Sequence, residues 1–155
     1  MEINILTIGE NTPKWVDEAC KEYIKRFPKN YRLNLQELPL ANRHKSTNIE
    51  EIKEKESAKV FDLIKPGSFT VALDKHGKIW STEELAKKFN SWQLEWSKIN
   101  FVVGGPNGFT ENYLKKANEV WSLGNLTLPH QLVKVVILEQ IYRAYTILIR
   151  HPYHK

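Results

Sequence analysis

Residues 99–109, INFVVGGPNGF, pass from an apolar, largely β-branched stretch into three glycines, a proline and an asparagine. Ile99 to Val103 has the composition of a buried strand, and buried strands of this kind belong to parallel sheets covered by helices. The loop behind it, Gly104 to Gly108, permits positive φ and a close approach of backbone to a ligand. It is not GxGxxG, and it lacks the Lys-Ser/Thr ending of a phosphate loop. Dinucleotide and nucleoside-triphosphate binding are therefore unsupported. Gly-Pro and Asn-Gly also mark ordinary turns, so the loop alone leaves a plain turn and a ligand loop both open.

Working outward, strands and helices alternate. Glu2 to Ile8 reads as a strand, Gly9 to Pro13 as a break, and Trp15, Ala19, Tyr23 and Phe27 as a helical stripe widened by Val16, Cys20 and Ile24. Cys20 is expected in the core, as free cysteine usually is. Tyr31, Leu33 and Leu35 alternate with polar residues and predict a second strand. Between Arg43 and Lys65, six Lys/Arg mix with five Asp/Glu, which suits a loop and a solvated helix better than a nucleic-acid patch. Phe69 to Asp74 predicts a strand, Thr82 to Trp96 a helix, and Thr110 to Asn118 a helix capped near Thr110. A short strand through Leu123, another over Leu126 to Leu128, and a long helix from about Pro129 complete the chain. The alternation predicts an α/β fold with a mainly parallel sheet, and ligands of such sheets lie beyond the carboxyl ends of the strands.

The 155 residues suit one domain, 1–155, with no repeat or low-complexity linker. A hydrophobic fraction of 41% with 26% charged residues fits a soluble globular chain. One cysteine excludes an internal disulfide and a thiolate zinc site, and no signal peptide or membrane span is legible, so a cytoplasmic setting is expected. The net charge is +5. From Leu126 onward, Lys134, Arg143, Arg150 and Lys155 face a single acid, Glu139, which points any anionic partner to the C-terminal end.

Two further stretches hold candidate chemistry. Leu123-Gly124-Asn125-Leu126-Thr127-Leu128-Pro129-His130 offers backbone donors and acceptors flanked by leucines, as a flat heterocycle such as adenine requires; a tight turn and a helix start, with His130 as a cap, is the plainer alternative. Glu139 and Arg143, four apart on one helix, make either an ordinary ion pair or part of a site with the tail His151-Pro152-Tyr153-His154-Lys155. His151 and His154 lack a third ligand at zinc spacing, so no metal is expected. The five tryptophans are scattered across elements and suit core or interface roles rather than a base-stacking row. The last helix is apolar on two flanks, Leu132, Val136 and Tyr142 against Val135, Leu138 and Tyr145, which predicts a homodimer.

Together, FVVGGPNGF, WSLGNLTLPHQLVKVVILEQIYRAY and HPYHK, with NILTIG, EYIKRF and VALDKHGK before them, resemble the ribosomal large-subunit methyltransferase H family of the SPOUT superfamily over the whole chain. The resemblance implies a SPOUT α/β fold with a C-terminal trefoil knot, an exception to the unknotted-chain rule. It implies S-adenosylmethionine-dependent methylation of N3 of a pseudouridine in 23S ribosomal RNA on the assembled ribosome. By the same resemblance, cofactor contacts fall on Leu73, on Gly104 with Gly105 beside it, and on Leu123, Gly124, Asn125, Leu126, Thr127 and Leu128. Glu139, Arg143, Tyr153 and His154 fall at the substrate end, His154 as first candidate base and Glu139 as second. Asn107 stands where some relatives carry an acid. A non-catalytic ribosome-binding protein of the same fold and a ribose 2′-O-methyltransferase are the alternatives.

Overall fold

Side-chain parity along each strand decides which face each helix covers. The computed structural model describes residues 1–44 and 46–155. In β1 (Glu2–Ile8), Ile3 and Ile5 face one layer while Leu6 and Ile8 face the other, and all four are buried. The same split recurs in β3 (Phe69–Ile79), with Val71 opposite Ala72, and in β4 (Lys98–Val103), with Phe101 opposite Val102. With β2 (Arg32–Leu38) and β5 (Glu119–Ser122) they form one five-stranded, all-parallel sheet in the order β2-β1-β4-β3-β5. The first, larger core lies under α1 (Lys14–Arg26), α3 (Thr82–Glu95) and α5 (His130–Leu148); the second lies under α2 (Ile49–Phe61) and the short α4 (Glu111–Leu114). The sheet is thus covered on both sides, as a parallel sheet must be.

Local sequence sets the helix starts. Asn48 accepts the Glu50 N–H at 2.8 Å, and Ser81 forms a capping box with Glu84. Cys20 is buried, as expected, and so are Trp92 and Trp121. Trp15 lies outside the core of its own chain. It is 58% exposed, because Val16 and Cys20 rather than Trp15 face the core of α1.

Three expected elements differ. No strand forms over Leu126 to Leu128: Gly124 at φ +119° turns the chain away after β5, an edge strand, and Leu126 is left 83% exposed. The helix expected to reach Asn118 is regular only to Leu114, since Asn118 is drawn to β3, donating its N–H to Thr70 O and accepting the Thr70 N–H on its side chain. β3 does not stop at Asp74. It leaves its ladder with β5 after Leu73, loops out over 74–77 and rejoins at Lys78, with Leu73 and Lys78 both opposite Trp121. Gly77 allows this, because a Cβ there would strike the Trp121 backbone at 2.7–2.8 Å.

Candidate active site

At the carboxyl ends of β3, β4 and β5 the sheet opens into a cavity of about 470 Å³, the position at which parallel α/β sheets take ligands. Leu73 ends the pairing of β3 with β4, Gly104 and Gly105 follow β4, and the run Leu123–Leu128 follows β5; all nine positions line this cavity. The loop after β4 is a tight turn in which the Gly108 N–H donates to Gly105 O at 2.9 Å, with Pro106 at its second position. A Cβ on Gly104 would come within 3.0–3.2 Å of the Gly108–Phe109 backbone, so any side chain there forces the turn to shift by a few tenths of an ångström. The loop after β5 is fixed by Ser122, whose Oγ accepts the Gly124 N–H at 3.2 Å and donates to Gly124 O. It connects β5 to α5, rather than joining two strands.

Several lining residues escape sequence reasoning. Lys75 and His76 arrive on the excursion of β3, which no periodicity foreshadows. Val103 and Ser122 are strand ends, legible only once the strand boundaries are known. His130, by contrast, ends the stretch singled out in the sequence: it lines the cavity from the first turn of α5 and, rather than capping that helix, donates Nε2–H to Ile8 O at 2.5 Å, tying the end of β1 to the exit of the loop.

The residues expected at the substrate end assemble elsewhere. Glu139 Oε1 accepts Arg143 Nε–H at 2.8 Å and the Tyr153 hydroxyl at 3.1 Å, while its Oε2 accepts Gln140 Nε2–H at 2.6 Å. The Glu139 carboxylate raises the Arg143 guanidinium pKa, chiefly by this hydrogen bond. The tail turns through a 3₁₀ segment, Pro152–His154, and seats the Tyr153 ring against Tyr142, at 4.8 Å between centroids, with the Arg143 guanidinium 4.9 Å over it. Tyr23 and Arg26 of α1 join the cluster: the Tyr153 and Tyr23 hydroxyls are 3.2 Å apart and Arg26 lies 5.7 Å from the Tyr153 ring. Burial, then the Tyr23 hydrogen bond and the Glu139 charge, push the Tyr153 phenol well above its ordinary range. His154 is half-buried, and its Nδ1 is buried with no partner among the described residues.

These four residues do not line the cavity of their own chain. α5 carries both groups, Val133 at the cavity and Glu139 about 9 Å further along the axis, by its rise per residue. Among the described residues no three of His, Cys, Asp or Glu converge to hold a metal ion, and no helix is long and apolar enough to cross a membrane.

The family described as "Predicted SPOUT methyltransferase" matches residues 1–154. Proteins named ribosomal RNA large subunit methyltransferase H are 43% identical in Pseudomonas putida (strain W619) and 45% identical in Saccharophagus degradans (strain 2-40), each over all of both chains. Among solved structures, a methylase family protein from Haemophilus influenzae Rd KW20 superposes with a TM-score of 0.60 at 16% identity, covering 99% of this chain and 70% of its own, a likeness of fold alone. Full-length identity at that level, on the fold and strand-end cavity just described, means that the chain belongs to the SPOUT methyltransferases, within the ribosomal RNA large subunit methyltransferase H family.

Proposed function

We propose that this protein uses S-adenosylmethionine to methylate N3 of a pseudouridine in large-subunit ribosomal RNA on the assembled ribosome, as one domain, 1–155, acting as a homodimer in the cytoplasm. The observation that carries the donor assignment is the convergence of Leu73, Gly104, Gly105 and Leu123–Leu128 on one cavity. Its volume lies within the roughly 300–1,000 Å³ of small-molecule sites. Its lining suits the donor: glycine backbone from the loop after β4, leucines able to flank an adenine, and peptide groups able to read its edge. When bound, the donor supplies a methyl already made electrophilic by its sulfonium, so the protein's work is alignment and removal of the N3 proton.

His154 is the better base on chemical grounds, because both Glu139 oxygens already accept hydrogen bonds whereas neither imidazole nitrogen of His154 does among the described residues; its Nδ1 is buried, so the proton would go to Nε2. Arg143, held by Glu139, places a permanent cation where an imide anion or phosphate would be stabilised. Tyr153 sets the tail. Because Glu139, Arg143 and Tyr153 sit apart from the cavity of their own chain, the working site is composite: the cavity of one subunit and the tail of its partner.

The test is calorimetry with S-adenosylmethionine followed by methyl transfer to free RNA, isolated subunits and whole ribosomes from cells lacking the enzyme, with mass mapping of the product. Binding, transfer to assembled ribosomes and a base-methylated pseudouridine are expected. Absence of binding would leave a non-catalytic ribosome binder, and a methylated ribose would overturn the N3 assignment.

A further inference from the structure

Helix α2 is rich in charge, yet it places two polar side chains, Glu56 and Ser57, in the interior. Glu56 is 1% exposed. A carboxylate at that depth needs compensation, and leucine would fill the space without that cost. Its Oε1 is compensated: Arg43 Nη2 donates to it at 2.6 Å, and the Ala41 N–H lies at 3.4 Å. Its Oε2 is buried with no partner and is aimed at Gly105, where a Cβ would overlap it outright. Gly105 faces the cavity on its other side.

The contacts continue along the loop. Arg43 Nη2 reaches Asn107 Oδ1 at the tip, at 3.5 Å, and Ser57 Oγ accepts the Thr110 N–H at 3.1 Å beyond its end. Start, tip and end of the 104–110 segment are thus set by α2 and the residues before it, outside the strands and loops that form the cavity. Between Gly104 and Gly108 the loop itself has one internal turn hydrogen bond and a proline without a donor, and beyond them Phe109 anchors the segment in the second core, edge-on to Phe61 at 5.4 Å. Its shape decides the donor fit, since the cavity is read by backbone there.

We infer that Glu56, held by Arg43, is a positioning residue for the methyl donor: its carboxylate is the stop against which Gly105 seats, and it acts on binding through the loop rather than by touching the ligand. This rests on the donor reading above. It also gives a reason for glycine at 105 that the local conformation does not, since Gly105 is not in a positive-φ conformation.

The experiment pairs hydrogen exchange without ligand and calorimetry with S-adenosylmethionine, on full-length Glu56→Gln, Arg43→Gln, Gly105→Ala, Glu56→Ala and Gly105→Ala/Glu56→Ala. Glu56→Gln keeps the volume and removes the charge. It should quicken exchange over 104–110 while leaving α5 unchanged, and weaken binding about tenfold, the effect of losing one charge-assisted hydrogen bond. Arg43→Gln, which leaves the buried Glu56 carboxylate without its cation, should do the same to at least the same degree. Gly105→Ala should also weaken binding, but by a smaller factor when Glu56→Ala has made room for the methyl, a coupling that independent structural damage would not show. Unchanged exchange over 104–110 in both charge variants, or the same Gly105→Ala penalty in both backgrounds, would overturn the assignment. Wild-type protein that fails to bind would overturn the donor reading, whereas wild-type binding matched within twofold by Glu56→Gln would overturn only this inference.

Discussion

At the scale of single residues, the two candidate bases differ by their commitments. Glu139 is tied by Arg143, Gln140 and Tyr153, so both its oxygens are engaged; His154 keeps one ring nitrogen unpaired among the described residues. His154→Ala should therefore reduce single-turnover methyl transfer on whole ribosomes by about 10²- to 10⁴-fold at saturating donor, the usual contribution of a general base. Donor affinity should not change. A rate within threefold of wild type would remove His154 from the reaction and pass the role to Glu139, despite its engaged oxygens.

Among the elements, α5 does most of the organising, and it is anchored at both ends. Near its start, Lys134 is 1% exposed and donates to Thr12 Oγ at 2.7 Å and to Glu37 Oε1 at 3.1 Å, which fixes the helix to the end of β2 and to the loop before α1. Lys134→Ala should cost about 3 kcal/mol in chemical denaturation, because it leaves a cavity and strips Glu37 of its cation. At its far end α5 receives the tail. Tyr153 packs on Tyr142 and bonds to Glu139, so Tyr153→Phe should cost about 1 kcal/mol. That loss has a pH signature. The folded phenol is raised above its unfolded value of about 10, so the stabilisation is complete below that pH and is lost as pH rises from it through the folded value. Unfolding curves of wild type and Tyr153→Phe should stay separated by a constant amount from neutral pH to about pH 10 and converge above it. A gap that opens in alkali would contradict this docking.

For the whole molecule, the dimer proposal rests on the flanks of α5, and the structure sorts them. Tyr142, Ile137, Leu138 and Ile141 are buried within their own chain, so Tyr142→Asp would test folding and not association. Val136 remains half-exposed and is the proper probe. Val136→Asp should give a monomer in light scattering at micromolar concentration with its helix content retained. A composite site predicts complementation as well. Gly104→Val, which would run into the Gly108 backbone, mixed with His154→Ala should recover one working site per heterodimer; no recovery would place the whole site within one chain.

Much of this was fixed by local patterning. Apolar stretches such as 2–8 and 99–103, the glycines behind them and the Asn48 and Ser81 caps depend on short-range sterics and hydrogen bonding, so the strands, helices and parallel α/β class could be read from residue order. The recurring motifs gave the family, and with it a cavity lining that geometry alone would not have named. What the sequence left undecided depended on neighbours distant along the chain. Leu126 to Leu128 has strand composition but no strand to pair with; Asn118 ends a helix early because Thr70 offers it two hydrogen bonds; four residues of β3 leave the ladder because Gly77 meets Trp121. The charge pattern of α2 reads as a solvated face, yet Glu56 points inward, because Arg43 and Gly105 come to it from 13 positions before and 49 positions after. A side chain's burial is set by what packs over it, and only the tertiary structure supplies that.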